Sequence, residues 1–146
     1  MIQAKELAPT HFHSIELMNE LSDKLKIITG DTGTSSFDIE SFIAEKGVFI
    51  VIYEEDAAVG CGSLRRHDVE SCELKRMYSR KRGIGRMLMA ELFEKARHLG
   101  YSRMVLSTRR VNIEAVNFYL RNGFDEISPY GHYCSKPESI CMARYL

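Results

Sequence analysis

The stretch from Leu74 to Ala90 constrains the fold more than any other part of the chain. It reads LKRMYSRKRGIGRMLMA, so a strand pattern passes through two glycines directly into a helix. The first N–H groups of a helix have no partner within the helix and carry the positive end of its dipole. Gly83 and Gly85 allow the backbone to approach a bound group closely. The order strand, glycine loop, helix therefore predicts a site for an anion such as a phosphate.

Basic side chains are concentrated around this loop, at Arg80, Lys81, Arg82 and Arg86. The whole chain has 20 Lys and Arg against 20 Asp and Glu, so the loop is a local excess of positive charge. The excess favours anion binding over the alternative, in which the glycines only make a tight turn and the basic side chains are solvated. Because the net charge is zero, no overall positive field is available for a nucleic acid, and we expect no nucleic-acid partner.

Two common phosphate-binding motifs do not fit the loop. A dinucleotide-binding fingerprint needs a third glycine at the position of Leu88. A P-loop needs Lys and then Ser or Thr after its last glycine, where this chain has Arg86 and Met87. Binding of a nucleotide phosphate is therefore kept only as a weaker alternative.

The remaining patterns predict a mixed α/β (α+β) fold within a single domain of residues 1–146. The chain has 146 residues, of which 45% are hydrophobic, which is an ordinary globular composition. We expect antiparallel strands first, then a crossover through a helix, with helices on both faces of the sheet. Thr10, Asp38 and Asn112 are the expected helix N-caps, and Gly100 is expected to follow the end of the helix that starts at the glycine loop. The predicted strands are 2–6, 48–53, 57–66, 70–78, 103–108, 124–127 and 139–144.

No sequence feature indicates a membrane segment or a metal site. No apolar run approaches the ~20 residues that span a bilayer, and the first residues lack a signal-peptide pattern, so we expect a cytoplasmic protein without a membrane partner. The four cysteines are widely spaced and include no C-x-x-C pair. His11 and His13 lie two residues apart on a predicted helix and cannot share a face, so we expect no metal.

The motifs resemble those of the GNAT superfamily of acyl-CoA-dependent N-acetyltransferases. Arg80 to Gly85 satisfies the signature Q/R-x-x-G-x-G/A, while CELKRMY (72–78) is similar to the family's fourth strand and NIEAVNFYLRNGF (112–124) to a later helix and strand. The segment PYGHY (129–133) is similar to a subset of small members. One departure is that only Ser79 separates the fourth strand from the glycine loop, where the family usually has several more residues.

The resemblance implies acetyl-CoA as co-substrate and a splayed fourth strand in a mostly antiparallel sheet. In the family, the amides of the glycine loop hold the CoA pyrophosphate, and the fourth strand pairs with the pantetheine arm. Asn112 has the alternative role of a helix cap only. The resemblance thus implies a set of cofactor-binding residues: Met77, Tyr78, Arg80, Arg82, Gly83, Ile84, Gly85, Arg86 and Asn112.

Acetyl transfer to an amine requires a proton acceptor, because an amine with a pKa of ~10.4 is mostly protonated at neutral pH. The resemblance places Glu73 where members often have a glutamate, which makes it the candidate base, acting directly or through a water. The alternative is a salt bridge to Lys75 or Arg103. Tyr119 is the candidate acid that protonates the departing thiolate, and its alternative is an aromatic side chain of the core.

The acceptor itself is not identified by the sequence. Tyr130 and His132 lie in a loop that could contact a small-molecule or protein amine, although aromatic loop residues also pack without function. The prediction is an N-acetyltransferase that moves an acetyl group from acetyl-CoA directly to a primary amine. The alternative is a non-catalytic acyl-CoA-binding sensor. Homodimerisation is common in the family, but no motif here demonstrates it.

Overall fold

The computed structural model describes Met1 to Leu146, and its strands form one seven-stranded sheet in the order β1-β2-β3-β4-β5-β7-β6. The mixed α/β class, antiparallel at first and with helices on both faces, is confirmed. The strands are β1 (Ile2–Leu7), β2 (Val48–Glu54), β3 (Ala57–Arg66), β4 (Ser71–Ser79), β5 (Arg103–Arg109), β6 (Asp125–Ile127) and β7 (Ser139–Tyr145). The helices are α1 (Phe12–Thr29), α2 (Ile39–Ala44), α3 (Ile84–His98) and α4 (Ile113–Arg121), with 3-10 turns at Thr34–Ser36 and Gly131–Ser135.

Most helix ends follow the expected capping chemistry. The side chains of Asp38 and Asn112 accept hydrogen bonds from the first turns of α2 and α4. Gly100 follows the last turn of α3 with a φ of 92°. The prediction for α1 was wrong: His11, not Thr10, is the N-cap, and its Nδ1 accepts a hydrogen bond from the N–H of His13. The ring nitrogen of His11 thus takes the capping role that the sequence analysis assigned to the hydroxyl of Thr10.

Helices cover both faces of the sheet because β2 is hydrophobic on both faces. Its even-numbered residues, such as Ile50 and Ile52, join the larger core under α3 and α4. Its odd-numbered residues, such as Phe49 and Val51, join the smaller core under α1 and α2. A strand buried on both faces lies inside the sheet, and β2 lies between β1 and β3.

The sheet opens between β4 and β5, the only parallel pair. Ladder pairing joins them over Ser71 to Glu73 alone, although β4 continues to Ser79. Arg76 adopts a φ of 54° where the register of β4 against β3 shifts. Such a bulge bends a strand away from its neighbour. The second half of β4 therefore has one edge without a strand partner, which agrees with the splayed fourth strand that the resemblance implies.

None of the helices combines the length and the apolar character needed to cross a bilayer. All four cysteines are free thiols, of which Cys61, Cys72 and Cys141 are buried and Cys134 is exposed. Burial raises the pKa of the Cys61 and Cys72 thiols to about 12.

Candidate active site

A groove of about 1190 Å³ occupies the opening in the sheet. Its walls come from the second half of α1, the free end of β4, the glycine loop and α4. Met77 and Tyr78 line it from β4, and the hydroxyl of Tyr78 donates a 3.0 Å hydrogen bond to Glu20 of α1. The predicted cofactor residues that line the groove are Met77, Tyr78, Arg82, Gly83, Gly85, Arg86 and Asn112.

The backbone N–H groups of residues 81–86 are free to bind a ligand. The preceding amide, that of Arg80, donates to the carbonyl of Val59, and the following one, that of Met87, lies 3.5 Å from the carbonyl of Gly83. No hydrogen bond to a protein acceptor has its donor among the amides between them. These amides lie at the N-terminus of α3, where the helix dipole adds positive potential. The arrangement can hold a phosphate or diphosphate.

The two glycines of the loop are needed for different reasons. Gly83 is the N-cap of α3 and has a φ of 86°, which a residue with a side chain rarely adopts. A Cβ on Gly83 would meet no atom within 4 Å. A Cβ on Gly85 would lie 3.2 Å from the Phe118 ring, so this glycine lets α3 and α4 approach each other. β4 runs to Ser79, so the glycine loop that begins at Arg80 follows the strand with no residue between them.

The structure divides the basic cluster into two groups. Arg82 and Arg86 are exposed and line the groove. Arg80 does not line it: its guanidinium is ion-paired with Glu16 and Glu20 and donates to the carbonyl of Ala58 at 2.7 Å. Its role as a cofactor ligand stays a prediction that these contacts do not favour. The two glutamates join the start of the glycine loop to α1, and the Ala58 carbonyl joins it to β3.

Two further residues of the loop offer the groove few side-chain contacts. Lys81 lines it but also forms an ion pair with Glu54. The side chain of Ile84 is 2% exposed and belongs to the larger core, so its predicted role in cofactor binding falls to its backbone. Only the backbone amide of Ile84 is left for a ligand.

A smaller cavity of about 180 Å³ adjoins the groove. It lies between the free end of β4, the end of β5 and the loop that carries the turn Gly131–Ser135. Met77, Asn112 and Tyr119 line both cavities. A molecule in the smaller cavity can therefore meet a molecule in the groove beside Tyr119.

Tyr119 is 8% exposed and packs against Phe118 and Phe124. Burial raises the pKa of its phenol far above the ordinary value, so the hydroxyl stays protonated at neutral pH. Tyr119 belongs to the core, as the alternative expected, and also lines both cavities, while its acid role stays a prediction. Asn112 likewise caps α4, its Oδ1 accepting from the N–H of Ala115 at 3.4 Å, and lines both cavities.

Glu73 lies in an ion-pair cluster at the point where β4 and β5 separate. Its Oε1 accepts a 2.8 Å hydrogen bond from Arg65, and its Oε2 accepts one of 2.6 Å from Tyr130 and lies 3.6 Å from the Lys75 ammonium. Burial alone would raise the pKa of Glu73, but the two cations and the Tyr130 hydroxyl outweigh it and hold the pKa below its ordinary value. Glu73 lines neither cavity.

The alternative considered for Glu73, a salt bridge, is therefore present, with Lys75 as expected and with Arg65 in place of Arg103. Arg65 is its cross-strand partner in β3. A carboxylate whose two oxygens are already engaged is a weak proton acceptor. The base role of Glu73 stays a prediction, and any proton must reach it indirectly from the cavities.

Of the two residues predicted to contact the acceptor, His132 lines the smaller cavity and Tyr130 lines neither cavity. His132 is exposed, and its buried neighbour Tyr133 lines the same cavity. Tyr130 lines neither cavity, because its hydroxyl points to Glu73 and its ring packs against Tyr133 and His67. Contact of Tyr130 with the acceptor stays a prediction, which this geometry does not favour.

Sequence analysis missed the cationic residues of the smaller cavity. Arg76 and Arg109 lie on the facing strands β4 and β5, and Lys136 lies in the following loop. For Arg76, the sequence signal was a basic residue inside a strand whose other residues are mostly buried. The structure brings together no group of three or more His, Cys, Asp or Glu side chains that could hold a metal.

The chain matches the family model of the acetyltransferase (GNAT) family over residues 15–124. It is 25% identical over 138 residues to the uncharacterized N-acetyltransferase YsnE of Bacillus subtilis, covering 90% of this chain and 91% of that protein. It is 28% identical to an IAA acetyltransferase of Azospirillum brasilense, covering 90% of each.

A crystal structure described as an acyl-CoA N-acyltransferase of Klebsiella pneumoniae superposes with a TM-score of 0.85 at 26% identity, covering 100% of this chain and 98% of that one. The same fold recurs in the PaiA N-acetyltransferase of Thermoplasma acidophilum, solved in complex with coenzyme A, with a TM-score of 0.71 at 19% identity and coverage of 100% and 99%. With the family model covering most of the chain, this protein belongs to the GNAT family of acetyltransferases and is an acyltransferase.

Proposed function

We propose that this protein transfers an acetyl group from acetyl-CoA directly to a primary amine. The observation that carries the proposal is the position of Tyr119, which lines the large groove and the smaller cavity at once. The groove is assigned to acetyl-CoA and the smaller cavity to the acceptor. A protonated phenol at the junction is the group that a departing thiolate requires.

The chain's own residues fit CoA in the groove. The free amides of residues 81–86 would bind the pyrophosphate, and exposed Arg82 and Arg86 would add charge. Beyond Glu73, β4 has no ladder partner on the side of β5, so its backbone can hydrogen-bond an extended pantetheine arm as a strand would. The volume of about 1190 Å³ is at the upper end of ordinary ligand sites, which suits a ligand as large as CoA.

Acetyl-CoA supplies a thioester whose C–S bond breaks as the amine nitrogen forms a new C–N bond. The amine must arrive neutral, so its ammonium proton leaves before attack, to water or through water toward Glu73. A backbone N–H of Met77 or Tyr78 would stabilise the negative charge on the acetyl oxygen. Tyr119 gives its proton to the thiolate sulfur and regains one from the attacking nitrogen through solvent. The neutral amine and the thioester thus give the amide and the free thiol, and the one proton released overall is the one that the ammonium lost before attack.

The test is a thiol-release assay with acetyl-CoA and a panel of amines, run beside CoA binding measured by thermal shift. Tyr119→Phe should lower kcat by about 10²-fold or more, while the Kd for CoA changes little. Tyr145→Phe is the matched control, because Tyr145 is 78% exposed and lines neither cavity.

A sensor without catalysis would bind CoA and release thiol with no amine in the panel, which would contradict the proposal. A larger thermal shift with ATP or NAD than with CoA would contradict the assignment of the groove.

A further inference from the structure

The smaller cavity has a strong excess of positive charge. Its charged lining residues are four cations, Lys75, Arg76, Arg109 and Lys136, and one anion, Asp31. Two of the cations have carboxylate partners, since Lys75 lies 3.6 Å from Glu73 and Arg109 lies 3.1 Å from Asp31. Arg76 and Lys136 form no ion pair with any carboxylate of the protein.

Arg76 is the residue that makes this excess informative. Its side chain is 9% exposed, and its terminal nitrogens donate only to uncharged oxygens, among them the carbonyls of Thr32 at 3.2 Å and Met18 at 2.9 Å. A buried cation without a counter-ion is costly, and neutral acceptors repay only part of that cost. Its Nε donates to no protein atom and is not fully enclosed by protein.

The backbone holds this guanidinium in place at a conformational cost. Arg76 has a φ of 54° at the bulge of β4, a value that residues with side chains seldom adopt. Strain of this kind persists where the surrounding structure fixes it, and it concentrates at ligand sites. The bulge turns Arg76 toward α1 and the loop at Thr32, so that it forms one wall of the cavity.

The size of the cavity limits the molecule that can fill it. A volume of about 180 Å³ corresponds to about six waters at ~30 Å³ each. Arg76 and Tyr119 both line it, so one small molecule can reach both.

We infer that the acceptor is a small amine that carries a carboxylate, with the amine beside Tyr119 and the carboxylate bound by Arg76 and Lys136. This inference rests on the proposed function and names its substrate class. The Nε–H of Arg76, which donates to no protein atom, can donate a charge-assisted hydrogen bond to a carboxylate, and a lysine at the cavity edge adds a point charge. A phosphate on the amine would offer similar chemistry and is separated by the test.

The experiment compares acetyl-CoA-dependent thiol release with pools of L-amino acids, the matching amino-acid amides, aminoalkyl phosphates and spermidine. We expect the amino acids to exceed their amides in kcat/KM by about tenfold or more, because the amide leaves Arg76 without a counter-ion. Equal or better rates with the amides or spermidine overturn the inference but leave the proposed function intact. A higher kcat/KM with the aminoalkyl phosphates than with the amino acids overturns the assignment of a carboxylate to the acceptor.

Variants of the cavity give a second readout. Arg76→Lys keeps a positive charge but loses the free Nε–H donor, and Lys136→Ala removes a half-buried charge without touching the core. Each should raise KM for the amino acid by about tenfold while KM for acetyl-CoA stays unchanged. Arg110→Ala is the matched control, since its guanidinium pairs with Glu126 on the surface and lines neither cavity.

An unchanged acceptor KM in both cavity variants overturns the inference alone. The absence of acetylation from every pool while CoA still raises the Tm overturns the proposed function and the inference with it. If CoA itself gives no thermal shift, the proposed function also fails.

Discussion

The hydroxyl of Tyr130 donates a 2.6 Å hydrogen bond to Oε2 of Glu73, which joins the loop after β6 to β4 at the point where the sheet opens. Burial, followed by the negative charge of Glu73, raises the pKa of Tyr130, so the phenol stays a donor. The Lys75 ammonium contacts the same cluster through a 2.7 Å hydrogen bond to Tyr133. The loop beside the smaller cavity is therefore joined to β4 through the buried carboxylate of Glu73 and the ammonium of Lys75.

Glu73→Gln should destabilise the protein by about 3 kcal/mol at neutral pH, because it leaves Lys75 and Arg65 without their buried counter-ion. The folded pKa of Glu73 lies below its ordinary value, so the stabilisation is fully present above about pH 4.3 and is lost as the pH falls through the lowered pKa. Urea denaturation from pH 7 to 3 should show wild type and variant converging at the acid end.

The control for this prediction is Glu126→Gln, which removes an exposed carboxylate paired with Arg110 and should cost less than about 1 kcal/mol. A difference between Glu73→Gln and wild type that stays constant down to pH 3 would contradict the linkage.

Arg80 and Arg86 should behave differently although both belong to the same basic run. Arg80→Ala removes the ion pairs to Glu16 and Glu20, and after solvent screening it should cost about 1 kcal/mol with little change in KM for acetyl-CoA. Arg86→Ala should leave the Tm nearly unchanged and raise that KM several-fold, because its side chain lines the groove. Steady-state kinetics beside thermal unfolding separates the two, and the reverse pattern would refute the division of the cluster.

The pH profile of kcat should contain no step from ionisation of the Tyr119 phenol. Burial raises its pKa, so the phenol is protonated throughout roughly pH 6 to 9. Tyr119→Phe should therefore lower kcat across this range without changing the shape of the profile. A falling alkaline limb that is present in the wild type and absent in the variant would mean that Tyr119 titrates within the range and that its environment is less buried.

Local patterns predicted the elements well because most of them are determined by local chemistry. Asp38 and Asn112 cap their helices as their side chains require, and the glycine loop follows β4 directly. The ion pairs of Arg80 could not be predicted from local patterns, because its carboxylate partners on α1 lie 60 or more positions earlier in the chain. Arg76 was missed because a bulge, not residue order, decides which way its side chain points.

The two loop glycines should respond differently to alanine. At Gly83 the added methyl meets no atom, but the φ of 86° imposes a strain of about 1 kcal/mol or more. At Gly85 the φ is ordinary, but the methyl lies 3.2 Å from the Phe118 ring, so the ring must shift by a few tenths of an ångström. Combining each alanine with Phe118→Leu in a double-mutant cycle measures the difference. The smaller side chain should recover stability and CoA binding for Gly85→Ala and neither for Gly83→Ala, and rescue of both glycine variants would show that they share one steric cause.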